Sequence, residues 1–554
     1  MSITSLNGRR FAEMIIQGAN HLSANAKLVD SLNVFPVPDG DTGTNMNLSM
    51  TSGAKEVQNN VQDHIGKVGV SLSRGLLMGA RGNSGVILSQ LFRGFSKSIE
   101  TKASVSSQEF AAALESGVET AYKAVMKPVE GTILTVAKDA ARQGVIAAKE
   151  HSDIIMVMEE IIKEAKASLD RTPDLLPVLK EVGVVDSGGQ GLLFVYEGFL
   201  AELRGEALPA ISDNFTMDKL VSAEHHINVQ GHINSEDIVF GYCTEFMVRL
   251  EGTKTYDEDK FRQDLSELGD SLLVISDEEV VKVHIHSEQP GNCLNYGQTY
   301  GSLIKLKIDN MREQHTAIVG DTHATLDTES KPKKEKQKFG IVSVAMGTGI
   351  SDLFKSIGAT VVIEGGQTMN PSTEDIVKAI EEANAETIII LPNNKNIIMA
   401  AQQAKDVVSE QVIVIPSKTV PQGMSALLAF NPALEAQDND HAMTEALSHV
   451  KTGQITYAVR DTVIDGLEIA NGDFMGIDEG KIKVKSKEKL QAAKDLLLEM
   501  IDEESEIITI IYGEDASQNE VDELAKFCNA QFEDAEVELH NGNQPLYSFI
   551  FSIE

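Results

Sequence analysis

Through its first 205 residues the chain carries apolar residues at helical spacing and almost nothing else, which narrows the fold more than any other feature. Phe11, Met14, Ile15, Gly18 and Leu22 fall on one helix face. Phe110, Leu114, Ala121 and Val125 line a second. Ile154, Val157, Met158, Ile161, Ile162 and Ala165 line a third. Strand-like alternation is absent here. Gly-rich breaks at Pro38–Gly43, Gly79–Gly85, Glu130–Thr135 and Asp186–Gly191 separate the helical stretches. Helices with one apolar stripe must bury it against each other, so residues 1–205 are expected to form an all-α domain. Loops that punctuate such a scaffold are where function usually sits.

The pattern changes after residue 205. Val239–Val248 alternates like a strand, and Tyr256–Gly269 reads as a helix. Leu272–Ile275 and Val280–His286 look like a hairpin, followed by a helix over Leu294–Tyr300 and a strand over Leu303–Ile308. The order β-α-β-β-α-β predicts a small α+β middle domain of ferredoxin-like type over 206–320. Residues 321–338 are polar, Lys-rich and without an apolar face, which reads as a flexible linker. From 339 to 554, strands Phe339–Ala345, Thr360–Glu364, Thr387–Leu391 and Val412–Pro416 alternate with helices at Ile350–Ile357, Asp375–Ala383 and Ile397–Val408. That alternation predicts a C-terminal α/β domain with a parallel sheet, less regular after Gln454. A chain of 554 residues is multi-domain on length alone.

A net charge of −35 repels phosphate backbones and anionic membrane surfaces, so no nucleic acid partner is expected. Cys243, Cys293 and Cys528 are too dispersed for a disulfide framework. No apolar run approaches the roughly 18 residues of a membrane helix, and the N-terminus lacks a signal-peptide core. A cytoplasmic protein without integral membrane association is expected.

Asn33-Val-Phe-Pro-Val-Pro-Asp39-Gly-Asp41-Thr-Gly-Thr-Asn45 places two carboxylates one residue apart, with amides nearby. An all-oxygen set suits Mg²⁺, which commonly shares its shell with substrate phosphates. Gly40 and Gly43 permit a tight turn. An Asx-type turn with solvated acids is the competing reading. In Gly79-Ala-Arg81-Gly82-Asn83-Ser84-Gly85, successive N–H groups ahead of a helix starting near Val86 suit phosphate, with Arg81 and Ser84 adding charge and a hydroxyl. A plain helix–helix turn is the alternative. No P-loop motif occurs, and Met346–Gly349 lacks the glycine spacing of a dinucleotide-binding turn.

Together with Glu130-Gly-Thr132 and Val185-Asp186-Ser-Gly-Gly-Gln-Gly191, these segments resemble the nucleotide-binding subunit of the dihydroxyacetone kinases, an all-helical barrel with ATP and paired Mg²⁺ at one mouth. The likeness is closer to the ATP-binding subunit of the bacterial fatty acid kinases, in which helical, middle and C-terminal domains follow in this order. Asn33 stands where dihydroxyacetone kinases carry a third Asp, and Thr42 where they carry His. The resemblance implies transfer of the ATP γ-phosphoryl to a fatty acid carboxylate, giving an acyl phosphate for phospholipid synthesis. It implies Mg²⁺ on Asp39, Asp41 and Asn33. It also implies catalytic roles for Asp39, Asp41 and Thr132, and nucleotide contacts from Asn33, Thr42, Thr44, Asn45, Gly82, Asn83, Ser84 and Asp186. In the middle domain, Cys243 with His284 and His286 is a ligand set suited to Zn²⁺; taken alone such a trio is more readily core, and the resemblance implies zinc. It further implies a homodimer and a C-terminal domain that docks a fatty-acid-binding protein. A kinase of a small polyol or ketone such as dihydroxyacetone, and a nucleotide-regulated scaffold without activity, are the alternatives.

Overall fold

The computed structural model describes residues 2–34, 40–125, 127–206, 242–250, 256, 258–266, 268–276, 280–310, 336–366, 369–464, 466–503 and 505–554. Contacts group Met1–Ser212 with Lys334–Glu554 into one compact unit, and Asp213–Lys333 form a second.

After a short strand β1 (Leu6–Asn7), the first unit runs through α1 (Gly8–Ser31), α2 (Thr42–Asn59), α3 (Ile65–Gly79) and α4 (Gly82–Ile99). Strand β2 (Ser104–Val105) pairs with β1, a two-residue ladder that helical periodicity gave no hint of. Then come α5 (Ser107–Ala124), α6 (Ile133–Glu150), α7 (Ile154–Asp170), the short α8 (Thr172–Leu175) and α9 (Pro177–Val182), and α10 (Ser187–Arg204). Each long helix packs on the next, α7 packs on α10, and α10 packs on α1, so the ring closes into the expected helical barrel. Phe11, Met14, Ile15, Leu22, Phe110, Ile154, Val157, Met158 and Ile161 are all buried in its core. Caps set the helix starts: in α5, Ser106 and Glu109 form a reciprocal capping box, the Ser-x-x-Glu signature read in space.

The second unit has β3 (Tyr242–Leu250), α11 (Glu258–Ser266), β4 (Asp270–Ser276), β5 (Val280–Ser287), α12 (Pro290–Gln298) and β6 (Gly301–Asn310). Its sheet order is β4-β5-β3-β6, every pairing antiparallel. Both the β-α-β-β-α-β order and the strand arrangement are those of a ferredoxin-like fold. Thr244, Phe246 and Val248 alternate along β3 on the buried face, with Val281, Val283 and Ile285 beside them on β5.

The first unit continues with β7 (Gln337–Ala345), α13 (Thr348–Ser356), β8 (Val361–Glu364), α14 (Thr373–Ala383), β9 (Ala385–Leu391), α15 (Ile398–Lys405), β10 (Gln411–Val414), α16 (Val420–Leu428) and α17 (Ala436–Ala446). The strands form a parallel sheet of order β10-β9-β7-β8, as the alternation predicted. Strand β7 begins at Gln337, inside the stretch read as linker. Next are β11 (Lys451–Tyr457), β12 (Thr462–Ile464), β13 (Leu467–Ile469), β14 (Phe474–Asp478), β15 (Lys481–Ser486), α18 (Lys489–Met500), β16 (Ile507–Tyr512), α19 (Gln518–Gln531), β17 (Glu536–Asn541) and β18 (Phe549–Ile553). They build a mixed sheet of order β15-β14-β11-β18-β16-β17 and a separate β12–β13 hairpin. Ile341, Ile389 and Leu391 share one core with Ile511, Tyr547 and Ile550, so both sheets belong to one domain body.

Candidate functional site

Neighbouring helices of a closed up-and-down ring alternate in direction, so α2, α4, α6 and α10 all start at one mouth. The Gly-rich breaks feed those four starts. A side chain at Gly82 would meet Asn45 Nδ2 at 2.6 Å, and one at Gly85 would strike Ser49, so α2 and α4 begin side by side and run parallel. A side chain at Gly191 would meet Met46 Sδ at 2.7 Å, which sets the start of α10 against the same part of α2. Helix α4 starts at Gly82, four residues before the expected position, so Gly82, Asn83 and Ser84 form its first turn and are not a free loop. Gly82 adopts φ +56°, a left-handed conformation that lets the chain reverse from α3 into α4 within two residues.

Capping distinguishes these helices. The starts of α1, α3, α5, α7 and α10 are capped by Asn7, His64, Ser106, Asp153 and Asp186. At α2, α4 and α6 the N-cap residues Asp41, Arg81 and Thr132 make no capping side-chain bond. At α2 the Asp30 carboxylate takes Thr44 N and at α6 the Asp186 carboxylate takes Ile133 N, so α4 is the start whose first-turn N–H groups and dipole are left to draw an anion.

The loop into α2 is organised by a residue that sequence reasoning passed over. Asp30, in the last turn of α1, accepts from Thr44 N at 3.1 Å and Thr44 Oγ1 at 2.9 Å. A carboxylate in a helix's last turn opposes the dipole, and that local conflict was the available signal. Asn33 Nδ2 donates to the Asp30 carbonyl at 3.0 Å, and Asn33 Oδ1 accepts from Thr42 Oγ1 at 2.7 Å. The structure thus brings together Asn33, Asp41, Thr42, Thr44 and Asn45. Asp39 lies outside the described residues. From the C-terminal domain, the Arg460 guanidinium donates to the carbonyls of Ser31, Asn33 and Val34.

The C-terminal domain also meets α4. Asn370 Nδ2 donates to Asp41 Oδ2 at 2.6 Å, and Arg81 Nη1 donates to the Asn370 carbonyl at 2.9 Å. Arg81 lies 3.6 Å from Asp375 Oδ2, and Thr373 N donates to the Ala80 carbonyl at 3.1 Å. Asn83 Nδ2 donates to Asn396 Oδ1 at 3.2 Å. Buried Gln403 accepts from Ser89 Oγ and Gln90 Nε2 and donates to the Leu77 carbonyl and Thr373 Oγ1. Ala80 and Val86 join the core of the parallel sheet. The Asn393–Asn396 loop is part of this contact.

Thr132 and Asp186 come together at the starts of α6 and α10. Thr132 Oγ1 donates to the Val129 carbonyl at 2.8 Å. Asp186 caps α10 through Gly189 N at 2.7 Å. Burial pushes its pKa up to about 6, against the pull of the Gly189 and Ile133 N–H groups that hydrogen-bond its carboxyl. Half-buried Asp186 therefore binds and releases a proton close to neutrality.

In the second unit, Cys243 on β3 stands opposite His286 on β5, and His284 lies two positions along the same strand. Cys293 and Cys528 are buried free thiols. Among the described residues, no helix is long and apolar enough to cross a membrane.

Comparison with known proteins matches three family models in succession: the DAK2 domain over residues 36–201, the FakA-like middle domain of fatty acid kinase over 239–318, and the FakA-like C-terminal domain of fatty acid kinase over 340–554. Protein YloV of Bacillus subtilis is 65% identical over 555 residues, covering 100% of both chains. An uncharacterized protein of Staphylococcus aureus strain USA300 is 56% identical over 553 residues, again covering 100% of each. Among solved structures, the fatty acid kinase B3 protein of Streptococcus pneumoniae, loaded with linoleic acid, aligns with 39% of this chain and 99% of its own at 13% identity and TM-score 0.28. The dihydroxyacetone kinase of C. freundii aligns with 34% of this chain and 33% of its own at 20% identity and TM-score 0.26. Structural similarity that low carries no argument.

Proposed function

The chain belongs to the FakA-like family of fatty acid kinase proteins, and on that premise we propose that it binds ATP with Mg²⁺ at the barrel mouth and transfers the γ-phosphoryl group to the carboxylate of a fatty acid held by a separate fatty-acid-binding protein. The product is an acyl phosphate destined for phospholipid synthesis, made in the cytoplasm. One observation carries the reading: α4 opens without a side-chain cap beside the start of α2, and Asp41 sits at the head of α2.

The donor set fits the group. Asp41, Asn33, Thr42 and Thr44 offer oxygens, the hard ligands Mg²⁺ takes, with Asp39 completing the set. Mg²⁺ bound there would neutralise charge on the transferring phosphoryl. The first-turn N–H groups of Gly82, Asn83 and Ser84 receive phosphate oxygens, and Asp186 lies at the same mouth for ribose or metal. A fatty carboxylate is ionised at pH 7, so the acceptor needs no general base. That requirement agrees with Thr132, whose hydroxyl is tied to a carbonyl and positions the turn into α6. Incubation with ATP, Mg²⁺, a fatty acid and the carrier protein is expected to yield an acyl hydroxamate on hydroxylamine trapping. Omitting the carrier should abolish it. ADP release driven by glycerol or dihydroxyacetone instead would overturn the carboxylate acceptor.

For the second unit we propose Zn²⁺ held by Cys243, His284 and His286, a borderline-soft set. Purified protein is expected to carry about one zinc per chain, and Cys243→Ser to lose it by elemental analysis. Equal zinc in both would remove the site. A homodimer belongs to the same reading and is tested by sedimentation.

A further inference from the structure

We propose that the cation–triphosphate site is built by two domains, with Asn370 of the C-terminal domain as a positioning residue for Asp41. The inference rests on the nucleotide reading above and adds a residue from outside the barrel. Asn370 lies between β8 and α14 and is 1% exposed. Its Nδ2 donates to Asp41 Oδ2 at 2.6 Å, the short contact of a charge-assisted bond. A carboxylate only accepts, so the amide nitrogen must face Asp41 and the oxygen must face away. That oxygen is buried and has no protein partner. Buried amide oxygens are nearly always satisfied, and one left open points to a missing water or ion.

The segment around Asn370 is fixed on both sides, so the contact is built into the fold. The Asn370 carbonyl takes the Arg81 guanidinium, Thr373 N bonds the Ala80 carbonyl, and Asp375 both caps α14 and faces Arg81. Arg81, read from sequence as a phosphate ligand, is thereby the tie between the phosphate-side helix α4 and the loop that holds the metal-side Asp41. The orphan Asn83 Oδ1 and Asn394 Nδ2 lie along the same contact, joined through Asn396. Any partner that shifts the C-terminal domain would therefore alter cation binding directly.

The test is binding of a nonhydrolysable ATP analogue to the full chain, titrated with Mg²⁺. Asn370→Ala is expected to raise the Mg²⁺ midpoint about tenfold, while analogue affinity without Mg²⁺ stays unchanged. Gln403→Ala cuts three bonds across the same contact and one within the C-terminal domain, but none to Asp41, and should leave the midpoint in place. An unshifted Asn370→Ala midpoint, or equal shifts in both variants, overturns the proposal. If Asn370→Ala does not fold, Asn370→Ser, too short to reach Asp41, carries the same expectation. Wild-type protein that ignores Mg²⁺ and the analogue would instead overturn the nucleotide reading itself.

Discussion

Asp41→Ala is expected to lower kcat by about 1,000-fold while the protein stays folded, a loss of about 4 kcal/mol of transition-state stabilisation. The size follows from the chemistry. Phosphoryl transfer depends on alignment and charge neutralisation, and a carboxylate that holds the cation serves both. Folding should survive because Asp41 caps nothing with its side chain, and Asp30 organises the loop through Thr44. The measurement is single-turnover acyl phosphate formation, with circular dichroism confirming the fold. Retained turnover would show that the mouth of the barrel is not the reaction site, and a nucleotide-regulated scaffold would then be the better account.

Local pattern made much of this fold readable. Helical stripes such as Phe11–Leu22 were buried as read, because a stripe that wide has no stable alternative to burial. The parallel sheet followed from β-branched runs separated by helices. What stayed hidden was long-range. Strand β18, from the chain's end, inserts between β11 and β16, and no nearby residue announces such a pairing. Asn370 and Asp41 are 329 residues apart, and neither neighbourhood carries a sign of the other. The glycines of 79–85 suggested a flexible phosphate loop. Their steric role is different, since Gly82 and Gly85 admit α4 against Asn45 and Ser49 and so bring the two helix starts together.

The C-terminal domain changes how the mouth should be understood. Its contacts fall on both sides of the site: Arg460 holds the carbonyls of Asn33 and Val34, and Asn370 with Asp375 holds Asp41 and Arg81. A helical domain taken alone would lose both. A protein acceptor that presents a fatty acid must approach the same mouth, so its docking and the geometry of the cation site are mechanically linked.

Stability should report on Asp186 through pH. Its folded pKa is about 6 against 3.8 for the free side chain, so the folded state binds the extra proton between those values. Protonation therefore favours the fold below about pH 4, and the benefit disappears as pH rises through 6. The full swing is at most about 3 kcal/mol, from the 1.36 kcal/mol that each pKa unit represents. Asp186→Asn keeps an oxygen that caps Gly189 and Ile133, since Asn is as good an N-cap as Asp, but removes the titration. Denaturant unfolding of both proteins at pH 4.5 and 7.5 is expected to show wild type losing stability relative to Asp186→Asn as pH rises. Parallel pH profiles would mean that the carboxyl is solvated and ionised in both states. The same group should also respond to ligand. A cation or ribose hydroxyl placed against a buried carboxylate stabilises its charged form, so bound Mg²⁺ and nucleotide should flatten the wild-type profile toward that of the variant.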